Sequence, residues 1–255
     1  IILVDDGSDD QTSEATLAAW AGSRSQAPAF SMPQGDSKTG TTASVVPFSK
    51  KGTRPNLLIL RHSSRRGGGA AVYAGLTAAV ASGNAEAIVT LDADGTNNPI
   101  EMATLLKPIL DGSTDIVIGS RALGRHEAAN RLRQTGVLVF SWLYRRLTGE
   151  RVSDVATNFR AMAPHVLERI APRQPQYHTS EFLFLAWHAK LRIGERPGSF
   201  LKRKHGKSKK GPEILYGLRF ARVFMMSWLF GDAQVGTDMV KGESNEEGNP
   251  KQYVD

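Results

Sequence analysis

The chain has 255 residues, of which 40% are hydrophobic and 22% charged, and it carries a formal charge of +7. That describes a globular protein long enough to bury a full core. The absence of cysteine excludes disulfides and thiolate metal sites, so any metal takes oxygen or imidazole ligands, and without a run of 18 apolar residues no transmembrane helix is expected within these residues.

Ile1-Ile2-Leu3-Val4 runs directly into Asp5-Asp6-Gly7-Ser8-Asp9-Asp10. An apolar run ending in a Gly-containing polar turn reads as a buried strand followed by a loop. Its carboxylates then lie at the strand's carboxyl end, the edge at which open α/β sheets bind ligands. Asp9 or Asp10 is suited to cap a helix beginning near Thr12, and composition is helical to Ala21. Residues 22–56, rich in Ser, Gly, Thr, Pro and Lys with little periodicity, read as a long and mobile surface insertion. Leu57 to Leu60 is a short strand, and the stretch "RRGGGAAVYAGLTAAVASG" a Gly-rich turn and an Ala-rich helix that Gly83 ends. Ala87 to Leu91 is a strand, "DADGTNNP" its exit loop, Ile100 to Leu110 a helix, and "TDIVIGSR" a further strand and loop. This alternation indicates an α/β fold with a mostly parallel sheet flanked by helices.

A helix from Asn130 to Thr148 contains the apolar stretch "GVLVFSWLY". "SDVATNFRAM" and "HVLERI" form a turn and a helix, Ser180 to Leu191 another helix, and "RIGERPGSFLKRKHGKSKKG" an extended segment passing into a basic loop. Glu213 to Phe230 is helical by period, with Ile214, Leu218, Ala221, Met225 and Leu229 along one face and Arg219 and Arg222 interrupting its apolar surface. Such a helix either packs on the core or lies in a membrane interface. The expected organisation is a domain over 1–212, an amphipathic helix over 213–232 and a disordered tail over 233–255.

Three motifs carry chemistry. Asp92-Ala93-Asp94 follows an apolar strand, so alternation projects both carboxylates near one point. Paired carboxylates hold Mg²⁺ or Mn²⁺ on a diphosphate, because these ions prefer oxygen ligands and keep positions open for phosphate; the alternative is a solvated turn reversed at Asp94-Gly95. Gly67-Gly68-Gly69, opening a helix, lets backbone N–H groups approach a phosphate or ribose, although its spacing is neither the dinucleotide fingerprint nor a P-loop, and a tight turn with close helix packing is the alternative. Lys202, Arg203, Lys204, Lys207, Lys209 and Lys210 suggest a polyanionic partner. The cluster lacks interleaved aromatics and leaves the acidic motifs unexplained, so no nucleic-acid partner is expected.

In order and strand context, "IILVDDGSDDQT", "RRGGGAAVYAGL", "LDADG" and "DIVIGSR" resemble the family 2 glycosyltransferases, which have a GT-A fold. "RVSDVATNFRAM" and "RKHGKSK" resemble the branch that makes polyprenyl-phosphate sugars, the dolichol-phosphate mannose and glucose synthases and their bacterial relatives. The resemblance runs from Ile1 to about Phe230 outside the insertion. It implies metal-dependent, inverting transfer of a hexose from GDP-mannose or UDP-glucose to a polyprenyl phosphate. It also implies association with a membrane surface, with the site facing the cytoplasm at the plasma membrane or endoplasmic reticulum, and leaves a membrane subunit open. Other lipid or polysaccharide acceptors, and a non-catalytic nucleotide-sugar binder, stay open as alternatives.

Carried over residue by residue, the resemblance implies that Asp5 and Asp6 contact the donor's base and ribose, with Gly7 and Ser8 shaping the turn and Gly67 and Gly69 lining the nucleotide pocket. Asp92 and Asp94 would coordinate Mg²⁺ or Mn²⁺, with Thr96, standing where the family often has Gln, as a third metal residue that ligates or holds water through its hydroxyl. Arg121 and Arg133 match phosphate-binding arginines; Arg203, Ser208 and Lys209 match the basic loop that closes over both phosphates. Asp94, Arg121, Arg133, Arg203 and Lys209 form the expected catalytic set, and Asp154 matches the Asp preceding the family's Ser-Gly-Phe-Arg segment, here Thr157-Asn158-Phe159-Arg160. The family's N-terminal strand is absent from these residues, so the first strand here is expected to be second in the fold. Two phosphate-bearing substrates repel, which explains the need for a cation and several basic side chains. An ionised acceptor phosphate needs no strong base; Glu181 is the candidate if a carboxylate base exists, the alternative being a helix-surface acid.

Overall fold

A computed structural model describes residues 1–8, 16, 30–31, 41–46, 57–127, 131–202 and 213–231; for 30–31, 41–46, 131, 133 and 213–215 the description is of backbone alone. The chain divides into two compact units, Ile1–Asn84 and Ala85–Asp255.

The first unit contains β1 (Ile2–Asp5), β2 (Phe30–Ser31), β3 (Thr41–Val46), β4 (Leu57–His62) and α1 (Gly68–Ala81). Its sheet runs β1-β4-β3-β2. β1 and β4 are parallel, with Ile2 opposite Leu58 and Asp5 opposite Arg61, so the acidic turn and the turn before α1 leave the sheet at the same edge. β4 is buried at alternate and adjacent positions, with Leu57 and Ile59 packed against Leu3. α1 lies close on β1: a Cβ on Gly75 would stand 3.1 Å from Val4 Cγ2. β3, inside the segment 22–56, pairs antiparallel with all of β4. The helix expected over Thr12 to Ala21, apart from Thr16, lies outside the described residues.

The second unit contains β5 (Ile88–Thr90), a 3₁₀ turn (Pro99–Glu101), α2 (Met102–Leu110), β6 (Ile116–Ser120), α3 (Arg131–Thr148), β7 (Arg160–Met162), α4 (Val166–Arg169), α5 (His178–His188), β8 (Ile193–Pro197) and α6 (Glu213–Phe230). Its sheet runs β5-β7-β6-β8. β6 is buried along its whole length, as its unbroken apolar run requires of a central strand. Leu105 and Ile109 of α2 pack on Val117, Phe159 and Ala161. Thr179 to Ala186 of α5 are all buried, and Phe184 stacks edge-on against Phe224 of α6.

The expectation of a mostly parallel sheet is corrected. Among the described residues β1–β4 and β6–β8 are parallel, while β2–β3, β3–β4, β5–β7 and β6–β7 are antiparallel. In the first unit the cause is β3, which runs against both β2 and β4, and in the second it is β7, which enters between β5 and β6 in the opposite sense; alternation of strands and helices along the chain reveals neither reversal. In α6 the face anticipated from sequence is the outer one: Leu218, Met225 and Leu229 are exposed, while Phe220, Val223, Phe224 and Ser227 face inward. The tail 233–255 lies outside the described residues.

Candidate functional site

In the first unit, β1 delivers Asp5 and Asp6 to the turn. The Asp5 side chain is wholly buried, accepting the Ser8 N–H at 2.9 Å with Arg61 Nε 3.7 Å away. Asp6 is more open, and it ties β1 to the turn before α1: Oδ1 accepts from His62 Nδ1 at 2.8 Å and the Arg66 N–H at 2.9 Å, and Oδ2 from the Gly67 N–H at 2.8 Å. A carboxylate offers about four acceptor positions, so about one remains for a ligand. Gly7 has φ +63°, and a Cβ there would lie 2.6 Å from the Ser64 carbonyl carbon. Glycine is thus required where these two turns cross. Gly67, at φ 101°, precedes α1, and Gly69 is buried in its first turn.

In the second unit, the loop after β5 is closed on itself. The Asp92 N–H donates to Asn97 Oδ1 at 3.0 Å, and Asp94 Oδ1 accepts from both the Thr96 N–H at 3.0 Å and Thr96 Oγ1 at 2.6 Å. Asp92 is exposed, Asp94 half-buried and Thr96 buried. Thr96 therefore acts on Asp94 by fixing one carboxylate oxygen. Among the described residues no group of three or more His, Asp or Glu side chains is placed to hold a metal. Two aspartates on one short loop nevertheless fit Mg²⁺ or Mn²⁺, which bind through one or two carboxylates and leave other positions to water and phosphate.

Arg121 leaves β6 and is gripped by buried Asp154: Nε meets Oδ2 and Nη2 meets Oδ1, each at 2.6 Å, and the Arg121 N–H adds a third bond at 3.0 Å. Burial opposes ionisation of Asp154, but the hydrogen bonds and charge of Arg121 outweigh it and hold the carboxyl below its ordinary value. Behind the pair, Glu195 accepts the N–H groups of Ser153 and Asp154 at 2.9 and 3.1 Å. The Arg121 guanidinium also lies over the Phe200 ring, 5.2 Å from its centroid. The His126 ring packs tilted against Phe200, and burial followed by the Arg121 charge lowers its pKa, favouring the neutral imidazole.

A strap of residues 198–201 joins these loops. The Gly198 N–H donates to Ser120 O, the Phe200 N–H to Arg125 O and the Leu201 N–H to Thr96 O, at 2.9, 2.7 and 2.7 Å. The Glu101 carboxylate binds both the backbone and hydroxyl of Ser199. Only glycine fits at 198, where a Cβ would lie 2.7 Å from the Gly119 carbonyl carbon. The strap thus brings Asp94, Thr96 and Arg121 into one connected arrangement and continues into Lys202.

Arg133 lies on α3, its side chain outside the description, and Arg203, Ser208 and Lys209 lie outside the described residues. Glu181 is buried, its two oxygens accepting the N–H groups of Arg173 and Gln174 at 3.0 and 2.9 Å, so it organises a turn inside the protein. Sequence reasoning passed over His62, Phe200 and Asn158. The replacement of Ser-Gly by Thr157-Asn158 was the one signal that could have drawn attention to the last.

Residues 34–170 match the family model described as Glycosyl transferase family 2. A UDP-N-acetylglucosamine–dolichyl-phosphate N-acetylglucosaminyltransferase of Methanococcus voltae is 31% identical over 176 residues, 67% of this chain and 69% of that one. An undecaprenyl-phosphate mannosyltransferase of Micrococcus luteus is 28% identical over 169 residues, 63% and 68% of the two chains. Glucosyl-3-phosphoglycerate synthase of Mycobacterium tuberculosis, solved with Mn²⁺ and UDP-glucose, superposes with a TM-score of 0.55 at 17% identity, covering 89% of this chain and 67% of that one.

Proposed function

The chain belongs to glycosyl transferase family 2 and has the GT-A fold, and from that premise we propose that it transfers a sugar from a nucleotide donor to a polyprenyl phosphate. The observation that carries the reading is the strap of residues 198–201, which ties the carboxylate loop to Arg121 and leads into the basic run. A carboxylate pair, an oriented guanidinium and a dense positive charge are the groups needed where two phosphates meet. The acceptors named for the two curated relatives are both polyprenyl phosphates.

In this reading Asp6, with Gly7 and Ser8, meets the nucleoside, while Asp5, expected to contact it as well, is buried and holds that turn through the Ser8 N–H, and Gly67 and Gly69 permit the donor's close approach. Asp92 and Asp94 would hold Mg²⁺ or Mn²⁺, which would supply positive charge to stabilise a diphosphate leaving group; the structural neighbour solved with Mn²⁺ supports a divalent ion. Thr96 fixes Asp94 in place for that role. Arg121, together with Arg133, Arg203, Ser208 and Lys209, binds phosphate oxygens. An acceptor phosphate oxygen attacks the anomeric carbon as the bond to the nucleoside diphosphate breaks, the departing group keeping the electron pair, so configuration inverts in a single displacement. The acceptor is already ionised near neutral pH, so positioning is the main catalytic task and no side-chain base is required.

A polyprenyl acceptor requires contact with a membrane. No helix among the described residues is long and apolar enough to cross one. α3 and α6, which pack together through Phe140, Phe220 and Phe224, carry exposed Leu138, Val139 and Trp142 and exposed Leu218 and Leu229. Apolar outer faces with basic residues beside them suit an interfacial position.

The test is to incubate the full chain with Mg²⁺ or Mn²⁺, a polyprenyl phosphate and radiolabelled UDP-N-acetylglucosamine, UDP-glucose or GDP-mannose in turn. Label is expected to enter the organic phase from one of them. Binding of a nucleotide sugar without any labelled lipid overturns the assignment.

A further inference from the structure

β5 and β7 pair antiparallel, with Ile88 opposite Met162, Val89 opposite Ala161 and Thr90 opposite Arg160. Carried two residues past Thr90 and two before Arg160, the same register sets Asn158 across from Asp92, and opposed residues project side chains to the same side. The side chains do meet: Asn158 Nδ2 donates to Asp92 Oδ1 at 3.3 Å. Thr90 Oγ1 pins the Asn158 carbonyl at 2.6 Å, fixing the backbone from which the carboxamide projects. On its other side Asn158 Oδ1 is 3.4 Å from His178 Nε2.

The chemistry fixes the orientation of this chain of contacts. An ionised carboxylate only accepts, so the amide NH₂ faces Asp92 and its oxygen faces His178, whose Nε2 then carries the hydrogen. The geometry points to Asn158 as a positioning residue that holds Asp92 ready for a divalent cation, with His178 supporting it from behind. This rests on the proposal that Asp92 and Asp94 hold the ion. Outer groups that hydrogen-bond ligating carboxylates limit their rotation and set metal affinity. The glycine found at this place in the Ser-Gly-Phe-Arg segment of the resembled family has no side chain to do this, so the device is a property of this chain.

The experiment measures Mn²⁺ binding by the full chain, without acceptor, through loss of the free-ion electron paramagnetic resonance signal. Asn158→Gly is expected to weaken Mn²⁺ binding about tenfold, and His178→Ala to weaken it in the same direction by a smaller factor. Asn158 is not fully buried, so Asn158→Gly is expected to fold, and its metal-free melting temperature serves as the control. Unchanged Mn²⁺ affinity in Asn158→Gly, with binding abolished in Asp94→Ala, overturns the role of Asn158 and leaves the metal site standing. If the wild type binds no Mn²⁺ with or without a nucleotide sugar, the metal reading fails and this inference with it. A normal affinity accompanied by altered choice among donor sugars overturns it too, since Asn158 would then touch the donor and not Asp92.

Discussion

At position 7 two demands coincide on one residue. The backbone sits at φ +63°, and a Cβ would strike the chain at Ser64 and Arg65. Gly7→Ala is expected to lower stability by about 1–3 kcal/mol, measured by urea unfolding, because no flexible side chain is available to give way. The Arg121–Asp154 pair makes a different case. Removing one partner leaves the other charge buried, so Asp154→Ala is expected to cost about 3–5 kcal/mol, whereas the exposed Lys107–Asp111 pair contributes little. Asp154 and a second carboxylate, Asp115, also make stability fall in acid. Asp115, held at about 2 chiefly by hydrogen bonds from Arg192, and Asp154, held low by Arg121 against its burial, both have folded pKa values below their unfolded ones. Their contributions are complete above the ordinary carboxylate pKa of about 4 and are lost as pH falls through the folded values. A melting-temperature profile should therefore be level with respect to these groups above about pH 5 and fall below about pH 4. The fall that Asp115 contributes, between about 4 and about 2, should be absent in Asp115→Asn.

At the scale of elements, α6 separates packing from surface. Phe224 is fully buried against Phe140, Phe184 and Phe220, so Phe224→Ala is expected to destabilise by about 3–5 kcal/mol. Leu218 and Leu229 face outward, and the double change to serine should leave the melting temperature nearly unaltered while reducing co-sedimentation with anionic vesicles. Vesicle binding unaffected by the double change would remove α6 from the membrane reading. Glu101 is the anchor of the strap of residues 198–201. Glu101→Ala is expected to reduce turnover at saturating donor more than it reduces stability, because it loosens the link from Thr96 and Arg121 to Lys202 without opening the core. The periodicity of α6 in the sequence marked one apolar stripe but could not say whether it turned inward or outward; both faces are apolar, and only packing shows that Phe220, Val223 and Phe224 are the inward set.

At the scale of the whole molecule, a formal charge of +7, with six basic residues clustered between Lys202 and Lys210, makes association with anionic surfaces sensitive to salt. On the membrane reading, vesicle binding should fall as salt rises from about 0.1 M to about 1 M, where the Debye length contracts from about 10 Å to about 3 Å. Binding through the apolar faces of α3 and α6 should persist in part. What the sequence determined by itself was local: the strands at Leu57 and Ile116, the helices after Gly67 and Pro99, and the acidic loops at strand ends, all written in hydrophobic period and turn chemistry over a few residues. The ordered motifs also carried the family. Tertiary structure alone decided which strands lie side by side. β7 enters antiparallel between β5 and β6, and that pairing sets Asn158 against Asp92 across a gap of more than sixty residues in the chain. It likewise decided that Asp154 grips Arg121 and that Glu181 turns inward. Strand register and ion pairing depend on which distant segments exclude water from one another, and no local pattern encodes that choice.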